Sequence, residues 1–216
     1  MKQKDIFLQS EADNWFLRNE KILENRPLPD SDLFLSQMLT LTANSKLFDW
    51  ENMKILEIGC GDGRRLKWIK NNLGSQCFGI DPSSEAIKSA TLRGINAQVS
   101  TADKLPYESN YFDMIVFGFC LYLCDRDDLM LIASEADRVL KSPGWLFIID
   151  FYSQMPIKVP YKHHEKISTF KMDYKNMFSW HPSYSLVTQN IRSDHSLIVD
   201  EKNEWTSFTA LRKLHD

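Results

Sequence analysis

Lys54-Ile55-Leu56-Glu57-Ile58-Gly59-Cys60-Gly61-Asp62-Gly63-Arg64-Arg65-Leu66 reads as one strand, one glycine-rich turn and the start of one helix. Ile55, Leu56 and Ile58 form a short apolar run, rich in strand formers and stopped by glycine. Gly59, Gly61 and Gly63 then alternate. Glycine accepts positive φ and lets backbone come close to a ligand. From Arg64 the spacing becomes helical, with Leu66, Trp68 and Ile69 on one face. A strand that feeds a helix through glycines points free N–H groups at whatever sits above the turn.

Two kinds of site use such a turn. A dinucleotide site wants G-x-G-x-x-G, whose third glycine packs helix on strand. Gly59 and Gly61 fit, but the third place is Arg64, which speaks against an NAD-dependent oxidoreductase. The fit to Glu57-x-Gly59-x-Gly61-x-Gly63 is complete. That pattern resembles motif I of the class I S-adenosylmethionine (SAM) methyltransferases, in the small-molecule, methyltransferase-domain-11 type. The resemblance implies that Glu57, Gly59, Cys60, Gly61 and Gly63 hold the methionine part of SAM, and that the product is S-adenosylhomocysteine (SAH).

Further motifs follow in the order the resemblance requires. Gln76 to Ile80 reads as a strand ending in Asp81, followed by Pro82. An acidic residue about 20 positions past such a turn can accept from both ribose hydroxyls. The bland alternative is a turn Asp before Pro82. Ser83 or Ser84 caps the next helix, and Gly94 ends it. Ala97 to Ser100 is a third short strand running into Thr101-Ala102-Asp103-Lys104. The resemblance places Ala102, Asp103 and Lys104 at the adenine, with Asp103 on its amino group. Phe112 to Gly118 is a near-continuous apolar run, as expected for a parallel strand covered on both faces. Leu105-Pro106, Tyr111-Phe112-Asp113 and Leu140-Lys141-Ser142-Pro143-Gly144 add to the likeness. Gly118, Phe119 and Tyr122 then fall where such enzymes line the pocket near the transferring methyl. Tyr122 stands where the family often has histidine, and reads as a wall, a hydroxyl donor or plain core. Arg126 to Lys141 is an amphipathic helix stopped by Ser142-Pro143-Gly144, and Trp145 to Phe151 is strand five. Asp150 either aims the acceptor or caps a turn.

The flanks are less legible. Residues 1–50 read as a helical cap, with one helix over Glu11 to Leu23 and a second capped by Asp30 or Ser31 after Pro27-Leu28-Pro29. Trp15 suits a sulfonium and Arg18 a carboxylate, or they are a core tryptophan and a solvated arginine. Asp13 to Asn19 also resembles short bacterial methylases linked to surface-sugar or secondary-metabolite pathways. Residues 51–151 read as the SAM-binding core. Residues 152–182 are expected to form a loop and short helix over the pocket. Within 183–216, Tyr184 to Ile191 and Glu204 to Leu211 are expected to pair as a terminal hairpin. The predicted fold is a single α/β domain: a Rossmann-like, doubly wound, seven-stranded sheet with helices on both faces. The sheet is mostly parallel, with an antiparallel last strand. Candidates for a general base are Tyr122, Tyr152, His163, His164 and His181.

The chain has 216 residues, 43% hydrophobic and 25% charged, enough for one sizeable core. Its net charge of −3 argues against nucleic-acid and anionic-membrane partners. The Asn- or Asp-Pro-Pro-aromatic motif of base methylases is also missing at Gly118-Phe119-Cys120-Leu121. The charged N-terminus reads as no signal peptide, and the run from Met114 to Cys124 is too short to span a bilayer. Cys60, Cys77, Cys120 and Cys124 form no C-x-x-C pair and no zinc spacing, so a reduced, cytoplasmic setting and no metal are expected. The expected activity is methyl transfer from SAM to a small-molecule acceptor, by a monomer or dimer. A non-catalytic SAM-binding protein of the same fold is the alternative.

Overall fold

A computed structural model of the chain describes residues 2–43, 48–192 and 205–214. Its strands in chain order are β1 (Lys54–Ile58), β2 (Gln76–Asp81), β3 (Asn96–Val99), β4 (Phe112–Gly118), β5 (Leu140–Phe151), β6 (Ile157–Pro160), β7 (Ser168–Lys171), β8 (Tyr184–Arg192) and β9 (Thr206–Lys213). Seven of them form one sheet in the order β3-β2-β1-β4-β5-β9-β8. Neighbours from β3 through β5 are parallel, while β9 runs antiparallel to β5 and to β8. This is the Rossmann-like arrangement expected, with the last strand reversed.

Both faces are covered, and β4 shows why its sequence is apolar throughout. Met114 and Val116 point to one side, packing in a cluster with Phe34, Leu35 and Met38 of α3 (Leu33–Thr42), Leu66 and Ile69 of α4 (Arg64–Leu73), and Ile87 and Ala90 of α5 (Ser84–Leu92). Ile115 and Phe117 point to the other side, against Ile132, Ala136 and Val139 of α6 (Leu129–Val139). Each fully buried side chain of this kind contributes about 1.5–3 kcal/mol over its exposed state. Strand ends are in register: Ile58 pairs with Ile80 and Phe117, and Gly118 with Ile149. The loops after β1, β2, β4 and β5 therefore open on one edge, where ligands of such sheets bind.

Several expectations are corrected. The first helix begins at α1 (Gln3–Ile6), continues as a π-helical stretch over Phe7–Glu11, and runs on as α2 (Ala12–Glu24). The wider π turn lets Ile6, Phe7 and Ala12 all pack inward, on Ile167. The cap of α3 is Asp32, not Asp30 or Ser31: Asp32 Oδ1 accepts from Leu35 N–H at 2.9 Å. Helix α6 is shorter than Arg126 to Lys141, because Leu140 is already paired with Phe112. Ser142-Pro143-Gly144 thus lies within β5, where the register shifts between Phe112 and Met114, and does not end a helix. The 152–182 segment has its expected short helix but more strand than expected. It holds the antiparallel β6–β7 hairpin and a single 3-10 turn at Tyr174–Met177. The terminal hairpin is present as β8 and β9, although Glu204, its expected second start, lies outside the described residues.

Candidate active site

The glycine turn is locked to its neighbours through backbone. Gly59 and Cys60 N–H both donate to Ile80 O, at 2.9 and 3.0 Å. Gly59 has φ +77°, and a Cβ there would stand 2.7 Å from Cys120 Cβ, so only glycine fits. Gly63 caps α4 from a left-handed conformation. Asp81 closes the turn from β2: its Oδ2 accepts from Gly61 N–H at 3.0 Å and its Oδ1 from Ser83 N–H at 2.9 Å. Burial pushes the Asp81 carboxyl up to about 6, against those two hydrogen bonds.

Beneath the turn lies a buried ion triad. Glu57 on β1 pairs with Arg65 on α4, and Arg65 Nε and Nη2 also clasp Asp32 at 3.0–3.1 Å. Glu57 is 1% exposed. Its Oε2 is buried and has no hydrogen-bond partner among the described residues. Burial raises the Glu57 carboxyl to about 7, with Arg65 acting in the opposite direction. Gly118 makes room for the pair: a Cβ there would stand 2.6 Å from Glu57 Oε1 and 2.9 Å from Arg65 Nη1.

Above this edge opens a cavity of about 700 Å³. Of the expected cofactor residues, Trp15, Glu57, Gly59, Cys60, Gly61, Asp81, Pro82, Ala102, Asp103, Gly118, Phe119 and Tyr122 line it. Gly63 and Lys104 do not. Arg18 does not either: its guanidinium pairs with Glu11 and donates to Tyr161 Oη at 3.0 Å. Asp103 pairs with Lys4, and burial is outweighed so that its carboxyl stays below the usual range. The N-terminal turn that brings Lys4 there is anchored by Asp125, which accepts from Gln3 and Lys4 N–H at 3.0 Å each. Gln3 also bonds Leu123 O and Ser168 O, so one residue ties the core to the β6–β7 hairpin.

Most base candidates fall away from the cavity. Tyr152, His163, His164 and His181 are not among its lining residues. His163 packs edge-on to Tyr161, while His164 and His181 accept through Nδ1 from the Lys166 and Ser183 N–H groups. Tyr122 does line it, 4.8 Å from the Phe151 ring, and burial together with Asp150 pushes its hydroxyl up. Asp150 caps the turn after β4: it accepts from Leu121 N–H and Phe151 N–H at 2.8 Å, and burial raises it to about 7. Among the described residues no group of His, Cys, Asp and Glu is placed to hold a metal. None of their helices is long and apolar enough to cross a membrane.

Sequence reasoning missed Lys4, Asp32, Asp62 and Arg65. For Arg65 a signal existed: it sits four residues before Ile69, on the inward face of α4. Asp62 within the motif is held by Arg93 at 2.9 Å. Lys4 carried no local signal, since only the tertiary fold brings it to Asp103.

Residues 56–148 match the family model described as a methyltransferase domain. An uncharacterized protein of Methanocaldococcus jannaschii is 33% identical over 93 residues, 43% of this chain and 42% of that protein. The chain thus spans under half the length of that curated relative. A SAM-dependent methyltransferase structure from Methanosarcina mazei superposes with TM-score 0.61 at 19% identity, covering 77% of this chain and 94% of that one. A Haloferax volcanii putative methyltransferase, solved with the Trm112 activator, gives TM-score 0.70 at 17% identity over 97% and 98% of the two chains. At such identities the structural likeness concerns the fold. Residues 56–148 are thus similar to a methyltransferase domain, and the fold is that of solved methyltransferase structures.

Proposed function

We propose that this chain, whose residues 56–148 match a methyltransferase domain, binds SAM at the glycine turn and transfers its methyl to a small-molecule acceptor. The observation that carries the reading is the buried Glu57 Oε2, without a hydrogen-bond partner among the described residues, under a complete glycine turn, with Asp81 and Asp103 at the next strand ends. Glu57 is suited to accept from an α-ammonium, Asp81 from ribose hydroxyls and Asp103 from an adenine amino group once Lys4 yields. Arg64, which opens α4, lines the cavity and stands in for Arg18 as the cation for a carboxylate. Trp15 offers an aromatic face to a sulfonium. SAM, when bound, supplies a methyl on an already activated sulfur.

The residues around the acceptor then have to position it and exclude water. Tyr122 keeps its proton, all the more firmly because burial pushes its hydroxyl up, and serves as wall or donor. A cavity of about 700 Å³ suits small molecules. The net charge of −3 favours neither nucleic acid nor an anionic membrane. Four free cysteines among the described residues accord with a cytoplasmic setting.

The test is calorimetric titration with SAH, and with NADH in parallel. Micromolar SAH and no NADH binding is the expected result. Asp81→Ala should weaken SAH at least tenfold, about 1.4 kcal/mol. Binding of NADH alone, or an unchanged SAH affinity in the variant, defeats the assignment.

A further inference from the structure

The carboxyl edge of the sheet has two halves. The glycine turn, Asp81 and Asp103 occupy the half built by β1, β2 and β3. The other half is built by β4, β5, β9 and β8. Its strand ends bring Phe119, Phe151, Thr206 and Arg192 into the same cavity. The last three form a row: Phe151 pairs with Thr206 across β5 and β9, and Thr206 with Arg192 across β9 and β8. Phe119, Phe151 and Tyr122 make the floor, with ring centroids 5.7 and 4.8 Å apart on either side of Phe151. Asn190 Nδ2 donates to Gln37 Oε1 at 2.6 Å, which sets the end of β8 against α3. Leu28 and Leu33 line the cavity from the helical cap, and so does Arg26.

The charges on this half are unusual for the molecule. Of the other arginines near the cavity, Arg65 is committed to Glu57 and Asp32, Arg93 to Asp62 and Arg18 to Glu11, while Arg64, at the glycine turn, donates to Arg26 O at 2.6 Å. Arg26 and Arg192 form no ion pair among the described residues. On this side Asp32 is clasped by Arg65, which leaves Asp30 as the opposing carboxylate. An aromatic floor and leucine wall beside the Arg192 guanidinium, which forms no ion pair among the described residues, match a ligand with an apolar body and an anionic head.

We propose that the methyl acceptor is a small organic anion, a carboxylate or a phosphate ester. Its apolar body lies over Phe151 and its charge is seated by Arg192. This rests on the cofactor reading above. It narrows the acceptor class, and Arg192 becomes the residue that selects it.

The test titrates the full chain with matched probes at constant ionic strength: 3-phenylpropanoate against 3-phenylpropanamide, and phenyl phosphate against phenol. Each titration is run with and without saturating SAH. At least one anion is expected to bind tenfold or more tighter than its neutral partner, and the tighter anion names the acid group. Arg192→Gln is expected to remove that preference and to leave SAH affinity within twofold. Equal binding of anion and neutral probe, no binding of either anion, or a preference that survives Arg192→Gln overturns the proposal. Failure of SAH to bind the wild type defeats the cofactor reading alone, because the titrations without SAH still decide the anion preference.

Discussion

Gly118→Ala tests the buried triad without substituting any of its members. Gly118 is not among the residues with positive φ, so alanine meets no backbone penalty there. What it meets is steric: the new methyl would stand 2.6 Å from Glu57 Oε1 and 2.9 Å from Arg65 Nη1. Neither group can retreat far, since Glu57 is 1% exposed and Arg65 is also held by Asp32. The Glu57–Arg65 contact must therefore open. Separating a buried ion pair costs about 3–5 kcal/mol when a charge is left uncompensated. Two features reduce that. Arg65 keeps Asp32, and Glu57, already raised to about 7, can take up a proton. The remaining loss is about 2–4 kcal/mol. In a chain of this length each kcal/mol lowers Tm by about 2–4 °C, so a fall of roughly 5–15 °C is expected. SAH affinity should drop as well, because Glu57 turns away from its place under the glycine turn. Scanning calorimetry with and without SAH reads both. A Tm within 2 °C of wild type together with an unchanged SAH affinity would refute the reasoning.

The remaining predictions concern the same carboxylates. Glu57 and Asp150, raised to about 7, and Asp81, raised to about 6, favour the folded state when protonated. Their contribution is complete below the free carboxyl values and is lost as pH rises through 6 to 7. The ligand-free Tm should thus rise as pH falls from about 8 to about 5.5, and turn down near pH 4, where the unfolded chain begins to take up protons on Asp13, Asp32 and Asp103, which the fold holds low. SAH affinity should move the opposite way over the same window, by roughly tenfold for each pH unit below the controlling carboxyl. Parallel trends in Tm and affinity would contradict the assignment of Glu57 and Asp81 to the ligand. Asp32→Ala removes both the cap of α3 and a partner of Arg65, and should cost at least about 2 kcal/mol in urea unfolding. Asp32→Ser keeps a capping oxygen and should recover about 1 kcal/mol of it. Equal losses in the two variants would show that the cap contributes nothing.

Much of the core was legible because its signals are local. β1 and β4 were readable from apolar runs ended by glycine, and the parallel order from strands alternating with helices. Asp81 announced itself by its distance from the turn, and the structure adds that the same carboxylate locks Gly61 and Ser83. The errors are physical as well. Leu140 breaks the helical period that Arg126 to Lys141 suggested, because pairing with Phe112 outweighs its helix propensity. The start of α1 was missed because Lys2, Gln3 and Lys4 look like a solvated end. They are held by Asp125, Asp128 and Ser168, which lie more than a hundred residues away.

The half of the site that chooses the acceptor could not have been read in this way. Arg192 and Phe151 lie far apart in the chain, and Thr206 joins them only because β9 inserts between β5 and β8. A hairpin appended after β5 in simple order would have placed β8 beside β5 and left Arg192 on a different row. The inserted, reversed strand therefore has a chemical consequence: it spaces the Phe151 ring and the Arg192 guanidinium by one strand, and Thr206 fills the gap. With strands about 4.8 Å apart, Arg192 stands roughly 10 Å from the row of Phe151, a span that a small apolar body with a terminal acid group can bridge. Among anionic probes of one head group, affinity should accordingly grow with the length of the apolar body up to that span, and stop growing beyond it.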